Sequence, residues 1–170
     1  MVAFAHFPSA QSRISAEDYT VECRRFRLAI EESEVSVDNS NTVIMGDFNL
    51  DPFDRNMISA DGMHAVSSRS VAENMLKRMV RGQEYPLLYN PMWNLLGDFQ
   101  DPPGSFFYSQ SSMVTAFWHT MDQVLLRPSI ASRLAKDSLR FITHVNGIAL
   151  TTALGHPKVS DHFPLYFEIV

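Results

Sequence analysis

The first fifty residues contain two short apolar runs separated by one long amphipathic stretch. Residues 2–7 (VAFAHF) and 42–46 (TVIMG) are bounded by polar or turn-forming residues, a pattern typical of buried strands. Residues 15–32 predict a helix, since a serine that can cap it is followed by two acids in the first turn. Its apolar residues recur on one helical face: Tyr19, Cys23, Phe26 and Ile30. Strand, helix and strand in this order predict a βαβ unit with parallel strands.

The middle of the chain predicts a second helix and then a long loop. Val71, Met75 and Met79 recur at four-residue spacing and a glycine follows, which predicts a helix over 69–81. Residues 84–105 are rich in proline, glycine and aromatic residues. This composition predicts a structured surface excursion, the kind of loop that often carries recognition.

The last part of the chain predicts mostly strands. Residues 104–110 and 111–129 are interpreted as two strands joined by a polar turn, and residues 131–141 as a short helix or turn. Closing strands are predicted at 142–147 and 162–170. Apolar residues alternate on one side of the second one: Phe163, Leu165, Phe167 and Ile169. The whole pattern predicts a single layered α/β domain over all 170 residues.

Composition and charge exclude several classes of function. The chain is 45% apolar and 19% charged, which is typical of a folded soluble domain rather than a disordered chain. A net charge of −5 argues against a strong sequence-independent hold on nucleic acid, although a local basic patch would change this. No apolar run is long enough to span a bilayer, so no membrane partner is expected. The single cysteine, Cys23, excludes an intrachain disulfide and fits a reducing compartment, so we expect a cytoplasmic protein.

Polar and ionisable side chains stand at the ends or beginnings of four predicted strands. They are His6, Asp47 with Asn49, Asp122, and Asp161 with His162. In layered α/β domains, sites gather at strand ends because a rigid scaffold holds the loops there. Three converging carboxylates repel one another unless a divalent cation neutralises them, and oxygen ligands without cysteine favour magnesium. Taken singly, each residue also fits an ordinary role as a turn residue, a helix cap or a rim histidine.

The order of three motifs resembles that of a known superfamily. GDFN at 46–49, DQVLL at 122–126 and SDHFPLYF at 160–167 are similar to the signature of the endonuclease/exonuclease/phosphatase superfamily. Its members include pancreatic deoxyribonuclease, abasic-site endonucleases, inositol polyphosphate 5-phosphatases and sphingomyelinases. The opening VAFAHFPSA, residues 2–10, also resembles a family strand that carries a histidine. The resemblance covers residues 2–170 and implies an α-β-β-α sandwich that hydrolyses a phosphate ester with metal-activated water.

On the metal side, the resemblance implies three oxygen ligands. Asp47 and Asn49 resemble the pair that positions the attacking water and binds the scissile phosphate, and that in some members holds a second metal ion. Asp161 resembles a carboxylate of the metal site itself. The implied cofactor is Mg²⁺, with Mn²⁺ as a substitute.

On the phosphate side, the resemblance implies two histidines and an orienting acid. His162 resembles the histidine that contacts the phosphate as a base or as a transition-state donor, and Asp122 resembles the acid that orients its imidazole. His6 resembles a second histidine on the phosphate side. Within the family the general base corresponds either to Asp47 or to His162, and both assignments stay open.

Residues near the DQVLL motif are expected at the rim of the substrate site. Trp118 and His119 come shortly before the motif, and the resemblance implies that such residues line the cleft. Trp93 and Tyr108 either belong to the rim or close the core. The sequence GDFQ at 97–100 echoes GDFN, but no β-branched strand precedes it, so we do not count it as a site.

One part of the family pattern has no counterpart in the sequence. The family domain begins with a half that supplies an asparagine and the principal metal-binding glutamate, whereas no acid precedes Glu17. We therefore expect the C-terminal portion of the fold, with weak Mg²⁺ binding, impaired activity and an exposed apolar sheet that favours self-association. The expected substrate is a phosphate ester, either nucleic acid or a small molecule. The competing hypothesis is a non-catalytic module that associates through the exposed sheet.

Overall fold

The computed structural model describes residues 1–9, 15–99, 101–109, 113 and 115–170. Its helices are α1 (Ala16–Ser36), α2 (Arg55–Ile58), α3 (Arg69–Met75) and α4 (Pro128–Ala131), with 3-10 helices at Pro91–Leu95 and Lys136–Ser138. Its strands are β1 (Val2–His6), β2 (Val43–Asp47), β3 (Ala65–Val66), β4 (Lys77–Val80), β5 (Gln83–Pro86), β6 (Leu88–Tyr89), β7 (Phe106–Phe107), β8 (Trp118–His119), β9 (Asp122–Leu126), β10 (Arg140–Phe141), β11 (His144–Val145), β12 (Ile148–Ala149) and β13 (Leu165–Tyr166).

Five strands form one mixed sheet in the order β1-β2-β9-β6-β3. β1 and β2 are parallel and α1 connects them, so the predicted βαβ unit is confirmed. β9 runs antiparallel to β2 over its whole length, from Leu126 opposite Val43 to Asp122 opposite Asp47. The described residues therefore establish a mixed α/β fold, in which the ends of β1 and β2 meet the start of β9.

Apolar side chains cover both faces of this sheet. On one face, Cys23 of α1 joins a buried cluster with Ile44 and Leu125. On the opposite face, Val124 and Leu126 join a second buried cluster with residues of α3, α4 and the C-terminal segment. The alternation along β9 therefore divides its side chains between two cores, as expected for a strand in the interior of a sheet.

The long N-terminal helix is confirmed, and it extends to Ser36. Ser15 is its N-cap: the Ser15 hydroxyl accepts a hydrogen bond from the Asp18 N–H, and the Asp18 side chain accepts one from the Ser15 N–H. This reciprocal arrangement satisfies backbone donors at the start of the helix. The predicted apolar face is buried or partly buried in the first core: Tyr19, Cys23, Phe26 and Ile30. None of the described helices is long and apolar enough to cross a membrane.

The predicted helix over 69–81 is wrong beyond Met75. The helix ends there because Leu76 adopts a left-handed φ of 57°, and β4 and β5 follow as an antiparallel hairpin. The apolar stripe that predicted a longer helix is not buried, since Val71, Met75 and Met79 are 42%, 48% and 59% exposed. Without burial of this stripe, no tertiary contact favours continuing the helix.

The predicted surface excursion over 84–105 is wrong in its first half. Leu88 and Tyr89 form β6, which lies between β9 and β3 in the main sheet. The 3-10 helix that follows buries Met92 and Leu95. The apolar residues between the prolines are therefore part of the core, and their burial decides the local structure.

The C-terminal strands are shorter than predicted. β7 and β8 pair with each other, whereas β9 enters the main sheet. The predicted polar turn includes residues 110–112, which lie outside the described part of the chain. β11 and β12 form a hairpin, and β13 pairs with β10. The predicted alternation is confirmed, because these residues are less exposed than their neighbours: Phe163, Leu165, Phe167 and Ile169.

The first strand presents apolar surface to solvent. β1 is at the edge of the sheet, and Val2 and Phe4 are 54% and 74% exposed on the face opposite α1. Beside them lies a groove of about 210 Å³ whose lining includes Phe4, Met45, Leu165 and Phe167. The edge of the sheet is therefore apolar both in its side chains and in the groove next to it.

Gly46→Ala is expected to destabilise the fold, because a Cβ at this position would lie 2.0 Å from the Ala5 carbonyl oxygen of β1. Overpacking of this kind costs about 1–3 kcal/mol, and the φ of +141° adds a further penalty for any L side chain. Gly97→Ala is the matched control, since Gly97 has a φ of +86° and open space around the added Cβ. Urea titrations measure both free energies of unfolding. Equal losses for the two variants would contradict the close approach of β1 and β2.

Candidate active site

Three polar side chains lie side by side at one end of the main sheet. In the strand register, His6 of β1 pairs with Asp47 of β2, and Asp47 pairs with Asp122 of β9. Residues directly opposite one another on neighbouring strands point to the same face of a sheet. The three side chains therefore form one row on the face opposite α1. This row brings together three of the residues predicted from the sequence.

His162 joins this row through Asp122. The Nδ1 atom of His162 lies 2.7 Å from an Asp122 carboxylate oxygen. This hydrogen bond raises the pKa of His162 above its ordinary value, against the effect of burial, and the negative charges of Asp122, Asp47 and Asp161 raise it further. With Nδ1 donating to the carboxylate, Nε2 is the nitrogen left for a substrate, and it has no hydrogen-bond partner among the described residues.

A tight turn at Asn49 holds the carboxylate of Asp47. Asn49 has a φ of 49°, and its backbone N–H donates to one Asp47 oxygen at 2.8 Å. The Asn49 side-chain amide donates to the other Asp47 oxygen at 3.0 Å and to the Phe7 carbonyl oxygen at 2.9 Å. Both amide hydrogens are thus used within the protein, so here Asn49 positions Asp47 and keeps only Oδ1 for a ligand. Burial raises the pKa of Asp47, and the hydrogen bond from the Asn49 N–H opposes this shift.

The buried amide of Gln123 fixes the loop that follows β2. Its Nε2 donates to the Leu50 carbonyl oxygen, and its Oε1 accepts a hydrogen bond of 2.8 Å from the Asn90 side chain. Both amide side chains are fully buried, so their polar atoms need these partners, which makes the geometry specific. The hydroxyl oxygen of Ser105 accepts a hydrogen bond of 3.1 Å from the Asp122 N–H. The start of β9 is therefore held by two partners, the Leu50 carbonyl oxygen and the Ser105 hydroxyl.

Asp161 is exposed next to His162, and its carboxylate accepts a hydrogen bond from the Ser160 hydroxyl at 3.2 Å. No group of three or more His, Cys, Asp or Glu side chains within the described ranges is arranged to hold a metal ion. Magnesium is commonly held by one or two carboxylates together with waters and a substrate phosphate. Asp47 and Asp161 are the carboxylates that the resemblance implies for such a site, and burial raises the pKa of Asp47, whose ionised form a cation would stabilise. The magnesium site stays a prediction.

A second Asp–His pair lies beside the loop after β2. The Nδ1 atom of His119 is 2.7 Å from one Asp51 oxygen, and the Thr120 N–H donates to the other at 2.8 Å. The hydrogen bond that His119 donates to Asp51 raises the pKa of His119 despite burial. Sequence reasoning missed Asp51, because an acid before a proline is typical of a turn. The available signal was a second acid two residues after Asn49, in a chain that also places a histidine before the DQVLL motif.

The aromatic residues predicted near the rim are mainly packed against the protein. Trp118 stacks on Phe163 with ring centroids 6.3 Å apart and packs against the second core cluster. Trp93 is partly buried and contacts a phenylalanine ring at 6.4 Å, and Tyr108 stacks on another at 6.1 Å. Trp118 and His119 are consecutive residues of β8, so their side chains point to opposite faces.

We predict that His119 titrates above pH 6.5 and that Asp51→Asn lowers its midpoint, because the pair's hydrogen bond raises the pKa of His119. An NMR titration of the histidine ring resonances measures both values. When folding raises the pKa of a group, the stability that results is fully present at pH values below the pKa of that group in the unfolded chain. This stability is lost as the pH rises through the pKa of the same group in the folded chain. The stability difference between wild type and Asp51→Asn should therefore be largest below the ordinary pKa of histidine and shrink as the pH rises through the raised pKa of His119. A difference that grows with pH would contradict the pairing.

Comparison with known proteins does not assign the chain to a family. A scan against models of protein families finds no matching model, and a search of curated proteins finds no match. The resemblance of the three motifs to the endonuclease/exonuclease/phosphatase superfamily is therefore a hypothesis. It rests on the residues of this chain and on the geometry where β1, β2 and β9 meet.

Proposed function

We propose that this chain is a phosphoric ester hydrolase of the endonuclease/exonuclease/phosphatase type. The observation that carries the proposal is the strand register that aligns His6, Asp47 and Asp122, together with the hydrogen bond between Asp122 and His162. An imidazole with one nitrogen on a carboxylate and the other free suits proton transfer and the stabilisation of developing charge. The α-β-β-α layering and the cytoplasmic location belong to the same proposal.

The pKa shifts support a division of roles in the hydrolysis. The hydrogen bond with Asp122 raises the pKa of His162, so the ring stays cationic to higher pH and suits contact with a phosphate oxygen. Burial raises the pKa of Asp47, so its carboxylate is a stronger base than an exposed one. In this proposal Asp47 accepts the proton of the water that attacks phosphorus, and the phosphorus–oxygen bond to the leaving group breaks. His6 is a further phosphate contact, and Asp122 positions His162.

The proposed cofactor is Mg²⁺, with Mn²⁺ as a substitute. The carboxylates of Asp47 and Asp161 and the Oδ1 atom of Asn49 would hold it. When bound, the ion supplies a Lewis acid that polarises the phosphate. The proposed substrate is a phosphate ester, and the net charge of −5 favours a small or single-stranded one over tight binding of duplex DNA.

A second candidate function is association through the sheet edge. The 54% exposed Val2 and the 74% exposed Phe4 lie on β1, which ends the sheet on one side. Edge strands without a lysine, a proline or a bulge can pair with another chain. The apolar groove beside β1 favours one kind of association, a homo-oligomer whose subunits are joined along β1.

Asp122→Asn is expected to lower the rate of phosphodiester hydrolysis by about 10²–10⁴-fold, because the neutral amide no longer stabilises the imidazolium of His162. The measurement is hydrolysis of bis-p-nitrophenyl phosphate and of plasmid DNA with Mg²⁺ or Mn²⁺, and with EDTA in place of the metal. Wild-type rates equal to those of Asp122→Asn would refute the proposed function. Metal-independent rates would refute the proposed cofactor alone.

Asp98→Asn is the matched control for this variant. It makes the same chemical change in the GDFQ sequence, where residues 97–99 lie in an exposed turn and residue 100 is outside the described ranges. Because Asp98 is at the surface and away from the main sheet, the variant should retain wild-type activity. A loss in both variants would indicate a general effect of lowered negative charge.

Phe4→Lys is expected to shift the chain toward the monomer if the sheet edge mediates association, because an exposed lysine opposes edge pairing. Sedimentation velocity over a range of protein concentrations measures the mass of the species. Phe99→Lys is the matched control, since Phe99 is 98% exposed in a turn outside the sheet. A wild-type chain that stays monomeric at every concentration would exclude this candidate.

A further inference from the structure

Two Asp–His pairs lie on either side of one residue, Phe106. In β7, Phe106 pairs with His119 of β8, and on its other side it forms a bridge to His162. Directly opposed residues of neighbouring strands point to the same face, so the two imidazoles and the Phe106 ring share one surface. Two strand spacings separate the histidine backbones by about 10 Å. The placement of both Asp–His pairs on one surface results from the strand pairing and does not follow from either pair alone.

The two pairs have the same construction. In each, Nδ1 of the histidine lies 2.7 Å from a carboxylate oxygen, of Asp51 for His119 and of Asp122 for His162. The histidine side chains are 20% and 19% exposed, so both are partly open to solvent. In each, Nε2 has no hydrogen-bond partner within the described part of the chain. The group assigned to the phosphate in the proposed function therefore occurs twice on this surface.

Phe106 lies between the two histidines in the strand pairing. Its ring centroid is 4.8 Å from that of His162, and the ring is only partly exposed. The backbone of Phe106 lies between those of the two histidines, which are about 10 Å apart, so one small phosphoryl group does not bridge both backbone positions. A ligand with two phosphoryl groups joined by a spacer can contact both.

We propose that His119, held by Asp51, forms a second phosphoryl-binding position, so that the site takes substrates with two phosphoryl groups on one small spacer. This inference rests on the proposed function, because the first position is the one at His162. The class includes nucleoside bisphosphates and short single-stranded oligonucleotides. A phosphate ester with one phosphoryl group would use the His162 position alone.

A purely structural role for the second pair is the competing explanation. Asp51 joins the loop after β2 to the segment before β9 through His119 and through the Thr120 N–H. Gln123 makes a similar link through the Leu50 carbonyl oxygen. The link therefore has other hydrogen bonds besides the one to the imidazole: those of the Thr120 N–H and Gln123, and that of the Phe48 N–H to the Met121 carbonyl oxygen. None of these three involves Nε2 of His119, whose side chain is partly exposed.

His119→Asn separates the two explanations. The asparagine amide reaches the position of Nδ1 and can still donate to Asp51, whereas Nε2 is removed. His144→Asn is the matched control, because His144 is exposed on β11 and, within the described ranges, its side chain hydrogen-bonds to the adjacent Thr143 alone. The full chain labelled with ¹⁵N-histidine is titrated with thymidine 3′,5′-bisphosphate and with inorganic phosphate. NMR follows the ring resonances of His119 and His162.

The bisphosphate is expected to shift the resonances of both histidines. His119→Asn should weaken bisphosphate binding by about 10–100-fold, the range for loss of one hydrogen bond to a charged group. The affinity for inorganic phosphate, observed at the His162 resonance, should change by no more than about twofold, within the usual scatter for a surface substitution. The inference is overturned if the bisphosphate leaves His119 unshifted, or if His119→Asn weakens both ligands equally.

Failure of the inference and failure of the proposed function give different results. If both histidines respond to the bisphosphate but no phosphate ester is hydrolysed, the second position stands and the hydrolase proposal falls. If wild type hydrolyses bis-p-nitrophenyl phosphate but His119→Asn binds the bisphosphate as wild type does, the hydrolase proposal stands and the second position falls. Circular dichroism and the unfolding midpoint of His119→Asn check that it keeps the wild-type fold, and the shift of the His119 resonance in wild type tests the contact without any variant.

Discussion

The antiparallel register between β2 and β9 is the constraint on which the rest of the structure depends. It places Asp122 opposite Asp47 and, through β1, aligns both with His6. Because side chains alternate along a strand, a slip of one residue would move Asp122 to the face that α1 covers. Val124 and Leu125, both fully buried and in different cores, oppose this slip. The apolar packing of β9 therefore fixes the position of Asp122.

Charges at this end of the sheet are stabilised by pairing. Asp122 and Asp51 each share a short hydrogen bond with a histidine, whose pKa rises as a result. Each pair can thus carry one negative and one positive charge without a net charge near a buried surface. No histidine among the described residues hydrogen-bonds to Asp47; burial raises its pKa, and the charges of His162 and His6 oppose this shift. A bound cation or a proton at Asp47 would therefore stabilise this end of the sheet.

Local patterns predicted the N-terminal part of the fold because there the apolar residues that show a period are also the buried ones, as at Cys23 and Ile30. The prediction of a helix over 69–81 is wrong because the spacing of Val71, Met75 and Met79 does not show whether their side chains face a core. β6 was missed because two buried residues between prolines carry no strand period. Local patterns also do not predict contacts between distant segments, such as that between Asp51 and His119, which are 68 residues apart.

The loop after β2 connects these observations, because it is attached to the segment around β9 at three successive points. Phe48 donates its N–H to the Met121 carbonyl oxygen, Leu50 accepts from Gln123, and Asp51 accepts from the Thr120 N–H. Buried polar groups hold a specific geometry only when all of them are paired, and they add less stability than apolar packing would. A loop held this way keeps Asp47 and Asp51 at fixed positions relative to Asp122. Fixed positions are what a preorganised anion site needs, since groups that are already ordered lose little entropy when a ligand binds.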